Sequence, residues 1–205
     1  MTRSSMKGSL AKSNRVYVVD VETTGPDVFK NDVLYIYIAP LFSNQPCLDL
    51  FIKYDDRDLS WGSVASKYFK AYSEEWRVNA LALEDAWETF VDFVENRIKS
   101  DEIILCGHNV GFDYSFLNKF AHLANAGLPK KISHRLFDVH SILFYYNLKG
   151  IIPNSALSSL GAIKYFGLDY SSGKRHSAKE DVKATRKIIT KLLNFNEINL
   201  FDAES

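Results

Sequence analysis

Four acids and one histidine stand where an ordinary core would not put them. In VYVVDVETTG, Val16 to Gly25, an apolar run receives Asp20 and, two residues later, Glu22. Side chains at i and i+2 of a strand share a face, so the two carboxylates project together. Two such charges about 4 Å apart repel by roughly 4 kcal/mol at an effective dielectric of about 20. A cation between them or a proton on one would relieve this, and so would a strand that has already ended, leaving Glu22 in water.

Two further stretches carry the same kind of signal. In GHNVGFDYSFL (Gly107–Leu117), His108 and Asn109 follow the end of an apolar segment, and Asp113 lies near the start of an amphipathic helix. The helix dipole alone accounts for an acid there. In HSAKEDVKAT (His176–Thr185), His176 precedes a helix, and Asp181 lies beside its apolar stripe of Ala178, Val182, Ala184, Ile188 and Ile189. Four carboxylates without cysteine make a hard, oxygen-rich ligand set, suited to Mg²⁺ or Mn²⁺ rather than zinc. His176, with an ordinary pKa of about 6.5, can take a proton from water near neutrality. Nearby acids raise that pKa and bound cations lower it. The remaining histidines, His122, His134 and His140, have no chemical partner in sequence and read as surface or core-edge residues.

The elements that must position these groups are legible. Arg15–Val21, Val33–Phe42 and Cys47–Tyr54 read as strands and form an antiparallel meander. LEDAWETFVDFVENRI places Leu83, Trp87, Phe90, Val91, Val94 and Ile98 at helical spacing. EIILCGHN is a short buried strand, and DYSFLNKFAHLANAG is a helix closed by Gly127 and Pro129. HRLFDVHS reads as a strand running into a helix. Asn154 or Ser155 caps ALSSLGAIKYFG, and AKEDVKATRKIITKLLNF is the last long helix. Strands first and strand–helix alternation afterwards imply an α/β layer structure with a mixed sheet of five strands. The division expected is a tail over 1–14, one domain over 15–195 and a C-terminal tail over 196–205.

Composition sets bounds. The chain has 205 residues, 46 % of them hydrophobic, enough for one sizeable core. Lysine plus arginine balances aspartate plus glutamate at 25 each, so any nucleic-acid contact must rest on a local patch. The last helix and the loop before it supply one, with Lys174, Arg175, Lys179, Lys183, Arg186, Lys187 and Lys191. Arg186 to Lys191 read as a solvated face, and Lys174 and Arg175, flanking His176, as the better phosphate contacts. Cys47 and Cys106 lie in apolar segments and read as buried thiols of a reducing compartment, the cytoplasm or an equivalent. No apolar run reaches membrane-spanning length, and the first fourteen residues lack the apolar stretch of a secretory signal.

Taken together and in order, Asp-x-Glu-Thr-Thr-Gly, His-Asn-x-x-Phe-Asp-x-x-Phe-Leu and His-x-Ala-x-x-Asp-x-x-Ala-Thr resemble the DnaQ-like, or DEDDh, 3′–5′ exonuclease family, over about Val16 to Leu193. The resemblance implies a ribonuclease-H-like fold with helices on both faces of the sheet. It also implies a two-metal phosphodiester hydrolase that releases nucleoside 5′-monophosphates from the 3′ ends of single-stranded DNA or RNA. Asp20 would bridge two Mg²⁺ (or Mn²⁺) ions, Glu22 and Asp181 would hold the ion that carries the water, Asp113 would serve the second ion, and His176 would be the general base. Thr23, Thr24, His108, Asn109 and Phe112 match positions lining the substrate site. The pattern departs from the family in two places. The second strand, YIYIAPLF, lacks the usual Glu and Gly. KAYS (Lys70–Ser73) replaces a His-Gly-Ile-Thr stretch that walls the terminal-nucleotide pocket, which leaves DNA against RNA open. A catalytically silent binding module on the same scaffold is the competing reading, and a homodimer, a polymerase or another protein partner stays undecided.

Overall fold

β1 (Val16–Thr23) is an inner strand of the sheet in the computed structural model, which describes residues 14–42, 44–169 and 177–194. It pairs antiparallel with β2 (Val33–Pro40), which pairs antiparallel with β3 (Leu48–Lys53), so the expected meander is present. Every residue of β2 is buried, because both of its faces are covered. That is why VLYIYIAP reads as an unbroken apolar run instead of alternating.

The chain then forms two short helices, α1 (Ala65–Phe69) and α2 (Ser73–Asn79), followed by a two-residue strand, β4 (Leu81–Ala82), parallel to β3. α3 (Leu83–Asp92) continues through a π-helical turn over Phe93–Arg97. β5 (Ile104–Gly107) returns parallel to β1, α4 (Val110–Leu123) follows, and β6 (Phe137–Asp138) pairs parallel with β5. The rest is α5 (Val139–Leu148), a 3₁₀ turn over Asn154–Ala156, α6 (Ser159–Tyr165) and α7 (Ala178–Leu193). The sheet order is β4-β3-β2-β1-β5-β6. The mixed α/β class stands, with β4 as a sixth strand too short to show a sequence period.

Alternation along β1 divides the core between two layers. Tyr17, Val19 and Val21 face a cluster built with Phe90, Phe93, Phe116 and Phe120 of α3, its π turn and α4. Val18 faces the other cluster, with Val139, Leu143, Ala162, Val182 and Ile188 of α5, α6 and α7. Asp20 and Glu22 continue the Val18 side, so α7 is the helix they meet.

Three local expectations are corrected. α6 is capped by Ser158, whose hydroxyl accepts from Gly161 N at 3.1 Å; Asn154 and Ser155 belong to the 3₁₀ turn before it. α4 ends at Leu123, and Asn125, in left-handed conformation, turns the chain two residues before Gly127. Cys106 is buried, but Cys47 is exposed; both are free thiols. The expected tails lie almost wholly outside the described residues. No helix among the described residues is long and apolar enough to cross a membrane.

Candidate active site

The site forms where β1 runs out. Pairing with β2 loses register between Glu22 and Thr23, so the strand ends immediately after its second acid. The carboxylates of Asp20, Glu22 and Asp181 place oxygens within 4.8 Å of one another. Asp20 and Glu22 come from β1; Asp181 comes from the first turn of α7, one turn after Ser177. Asp113 arrives from the opposite layer, on the first turn of α4. Its Oδ1 accepts from Val21 N at 2.9 Å, tying helix to strand between the two β1 acids. One oxygen of Asp113 is thereby committed to the backbone of β1.

The electrostatics are those of crowded, buried like charges. Burial pushes Glu22 up to about 8, and the charges of Asp181 and Asp113 add to the shift. Asp113 is also pushed up to about 8 by burial, against the hydrogen bond from Val21 and with a further push from Asp138. Asp20 is raised well above the carboxylate range, first by burial and then by Asp113, Glu22 and Asp181. Asp20, Glu22 and Asp113 have no cationic side chain at ion-pair distance among the described residues. Hard oxygen donors gathered this closely fit a divalent ion of the Mg²⁺ or Mn²⁺ type.

The expected substrate contacts divide. Thr23 is half-buried, its hydroxyl donating to Gly25 O at 2.7 Å in a local turn. Thr24 is a correction: it is fully buried, and its Oγ1 accepts from Asp32 N at 3.0 Å, so it braces the loop and has no surface to offer a substrate. Gly25 is needed there, because a Cβ would meet the Asn31 side chain at 2.5–2.8 Å. His108 is half-buried, its ring edge-on to His140 at 5.4 Å. Burial, then His140, lowers its pKa, so it is neutral near pH 7. Asn109 is exposed at the head of α4 with φ of 65°. Phe112 packs on Phe116 at 4.7 Å and on the core. His122 and His134 are exposed and His140 half-buried.

His176, Lys174 and Arg175 lie outside the described residues. The basic face of α7 is largely engaged within the molecule. Lys179 pairs with Asp49 at 2.8 Å and Lys183 with Glu180 at 2.7 Å, while Lys187 donates to Asp169 O at 2.9 Å and Arg186 to Leu41 O at 3.4 Å.

Two residues escaped the sequence reading. Tyr72, within KAYS, is 3 % exposed and stacks among Tyr35, Phe51 and Phe69. Burial and then the charge of Glu22 raise its pKa, which puts its phenol beside the site. Asp138, at the end of β6, accepts from the backbone of α4 and α5. The Phe-Asp of RLFDVHS, where a strand meets a helix, was the available signal.

Comparison with known proteins gives the same class. No family model matches the chain. Exonuclease I of Escherichia coli, in complex with a dT13 oligonucleotide, superposes with a TM-score of 0.70 at 15 % identity, over 92 % of this chain and 42 % of that one. The nuclease domain of 3′hExo, a DEDDh family member, bound to rAMP, gives 0.66 at 12 % identity over 88 % and 92 %. The fold is therefore that of the ribonuclease-H-like exonucleases. In sequence, the chain is 28 % identical over 127 residues to the 3′-5′ DNA exonuclease Cap18 of E. coli, covering 62 % of this chain and 66 % of that protein. It is 27 % identical over 182 residues to a PolC-type DNA polymerase III of Streptococcus pneumoniae, covering 86 % of this chain and 11 % of the polymerase. The chain thus spans just under two thirds of the first relative and a small part of the second. The resemblance to the DnaQ-like, DEDDh family is borne out in fold and in relatives.

Proposed function

We propose that this protein is a metal-dependent 3′–5′ exonuclease that shortens single-stranded nucleic acid and releases nucleoside 5′-monophosphates. The observation that carries the reading is the convergence of Asp20, Glu22 and Asp181 within 4.8 Å, with Asp113 bonded between them to Val21. Such a set, held at a strand end, gains from a divalent ion that offsets the crowding of its carboxylates. Two Mg²⁺ or Mn²⁺ ions, when bound, would supply Lewis-acid activation of the attacking water and stabilise the leaving oxygen. Asp20, Glu22, Asp113 and Asp181 would hold them. His176 would accept the proton of that water, Thr23, His108, Asn109 and Phe112 would seat the terminal nucleotide, and Lys174 and Arg175 would contact its phosphates.

DNA is the first substrate to test, because the sequence relatives are a DNA exonuclease and a DNA polymerase. A 5′-labelled single strand with Mg²⁺ is expected to shorten stepwise and to stay intact with a chelator. Matched DNA and RNA strands rank the two sugars. Asp20→Ala and His176→Ala are each expected to stop the ladder; shortening that persists in both overturns the assignment, and a parent protein that shortens no strand favours the silent-module reading.

A further inference from the structure

One carboxylate outside the acidic cluster accepts four hydrogen bonds. Asp138 Oδ1 accepts from Asn109 N at 2.7 Å and Val110 N at 3.3 Å, and its Oδ2 accepts from Ser141 N at 2.9 Å and Ser141 Oγ at 2.5 Å. It therefore caps two helices at once. For α5 it is the ordinary N-cap. For α4 it replaces a cap that the helix cannot supply: Asn109 occupies the N-cap position in left-handed conformation, and its own side chain makes no capping bond. Phe112 N donates to Asn109 O at 2.9 Å, whereas the N–H groups of Asn109 and Val110 are met by Asp138.

The capped turn is the one that carries Asp113. From Asp138 the connection runs through Asn109 and Val110 to Asp113, and from Asp113 Oδ1 across to Val21 N, between Asp20 and Glu22. The space before the turn is equally defined: a Cβ on Gly107 would come within 3.0 Å of Val19 O, so β5 passes close against β1 as it enters α4. Burial opposes the charge on Asp138, but the hydrogen bonds from Ser141, Asn109 and Val110 outweigh it and hold the carboxyl below its usual range.

We propose that Asp138 is a positioning residue for the metal site, fixing the first turn of α4 so that Asp113 presents its carboxylate beside Asp20 and Glu22. The proposal rests on the nuclease reading for its purpose, but it is tested on ion binding. Outer-shell partners of metal ligands typically contribute 10- to 100-fold to metal affinity.

The test is calorimetric titration of the full-length chain with Mn²⁺, with amide exchange at Asn109 and Val110 followed in parallel. Asp138→Ala is expected to weaken Mn²⁺ binding about 10-fold and to speed exchange at both amides. Asp138→Asn, which keeps one acceptor oxygen and serves if the alanine variant does not fold, is expected to fall between. Ser141→Ala, which touches only the α5 side, is expected to stay within about twofold of the parent. Unchanged Mn²⁺ affinity in Asp138→Ala and Asp138→Asn, with only the melting temperature lowered, makes Asp138 a plain helix cap and overturns the proposal. Equal weakening in Ser141→Ala overturns it too, because the effect would then run through α5. A parent protein that binds Mn²⁺ but shortens no oligonucleotide removes the nuclease reading and leaves the positioning claim standing; a parent that binds no Mn²⁺ removes both.

Discussion

Asp32 and Asp113 are both buried aspartates, at 0 % and 4 % exposure, and the fold treats them in opposite ways. Asp32, at the entrance to β2, has Lys119 Nζ 3.0 Å from one oxygen and Arg57 3.3 Å from the other. Both cations stand at ion-pair distance without hydrogen-bond geometry. Lys119 Nζ also donates to Asn31 O at 2.6 Å, and Asp32 and Thr24 close the loop through backbone and hydroxyl bonds. Asp113, on the same helix as Lys119, faces other acids instead. A buried carboxylate whose cation is built into the chain is a structural brace. One that faces like charge is the kind of group a functional site is built from.

The largest expected effect is at the acidic cluster. Asp20→Ala is expected to lower the cleavage rate about 1,000-fold, read as single-turnover shortening of a labelled strand. At a pH high enough to ionise the cluster, above about 8 for Glu22 and Asp113, the conservative Asp20→Asn is expected to raise the melting temperature of the metal-free protein, since it removes one carboxylate from a group of like charges. A fall in that temperature would mean that the cluster is stabilised from within and is not waiting for an ion.

Asp32→Asn should do the reverse: no direct loss of ion binding, but about 3 kcal/mol of stability lost, because Lys119 and Arg57 are left facing a neutral group. Urea unfolding measures this; a change under about 0.5 kcal/mol would show the two cations to be well solvated without Asp32.

pH separates the two regions further. In the folded, metal-free protein Glu22 and Asp113 keep their protons up to about 8, whereas in the unfolded chain they lose them at about 4. Between those values the folded state binds more protons, so stability is fully present below about pH 4 and is lost as pH rises through about 8. The metal-free melting temperature is therefore expected to drop from about pH 5 to about pH 8.5, and added Mg²⁺ to restore it most at the upper end, where the ligands are ionised. A flat profile with equal Mg²⁺ effects throughout would contradict the raised values.

The smallest effect is expected on the far face of α7. Lys179→Ala breaks a pair with Asp49 whose side chains are 43 % and 38 % exposed, and should shift stability by less than about 1 kcal/mol and leave strand shortening unchanged. A large drop in single-strand affinity would bring that face into the substrate path.

Much of this was readable beforehand, for identifiable reasons. The i, i+2 rule puts Asp20 and Glu22 on one side, and the stripe on α7 puts Asp181 beside buried residues; both follow from the chain's own periodicity, while the meeting of all three is what the family resemblance implies. Where reading failed, the deciding partner was distant in sequence. Thr24 matches a family position lining the substrate site, but Asp32 claims its hydroxyl. Asn154 or Ser155 reads as the cap, but the chain makes one more turn before Ser158 starts α6. Asp138 passed as the end of a strand because its donors on α4 lie 28 and 29 residues away.

The sequence by itself determined which atoms are available: hard oxygen donors, a histidine, and strands and helices whose periods aim them. Periodicity is local, so it survives without the fold. What only the tertiary structure decided is which buried acid gets a cation and which does not. That depends on whether Lys119, Arg57 or a second carboxylate arrives from across the molecule, and close-range electrostatics is set by distance in space, to which separation along the chain is no guide.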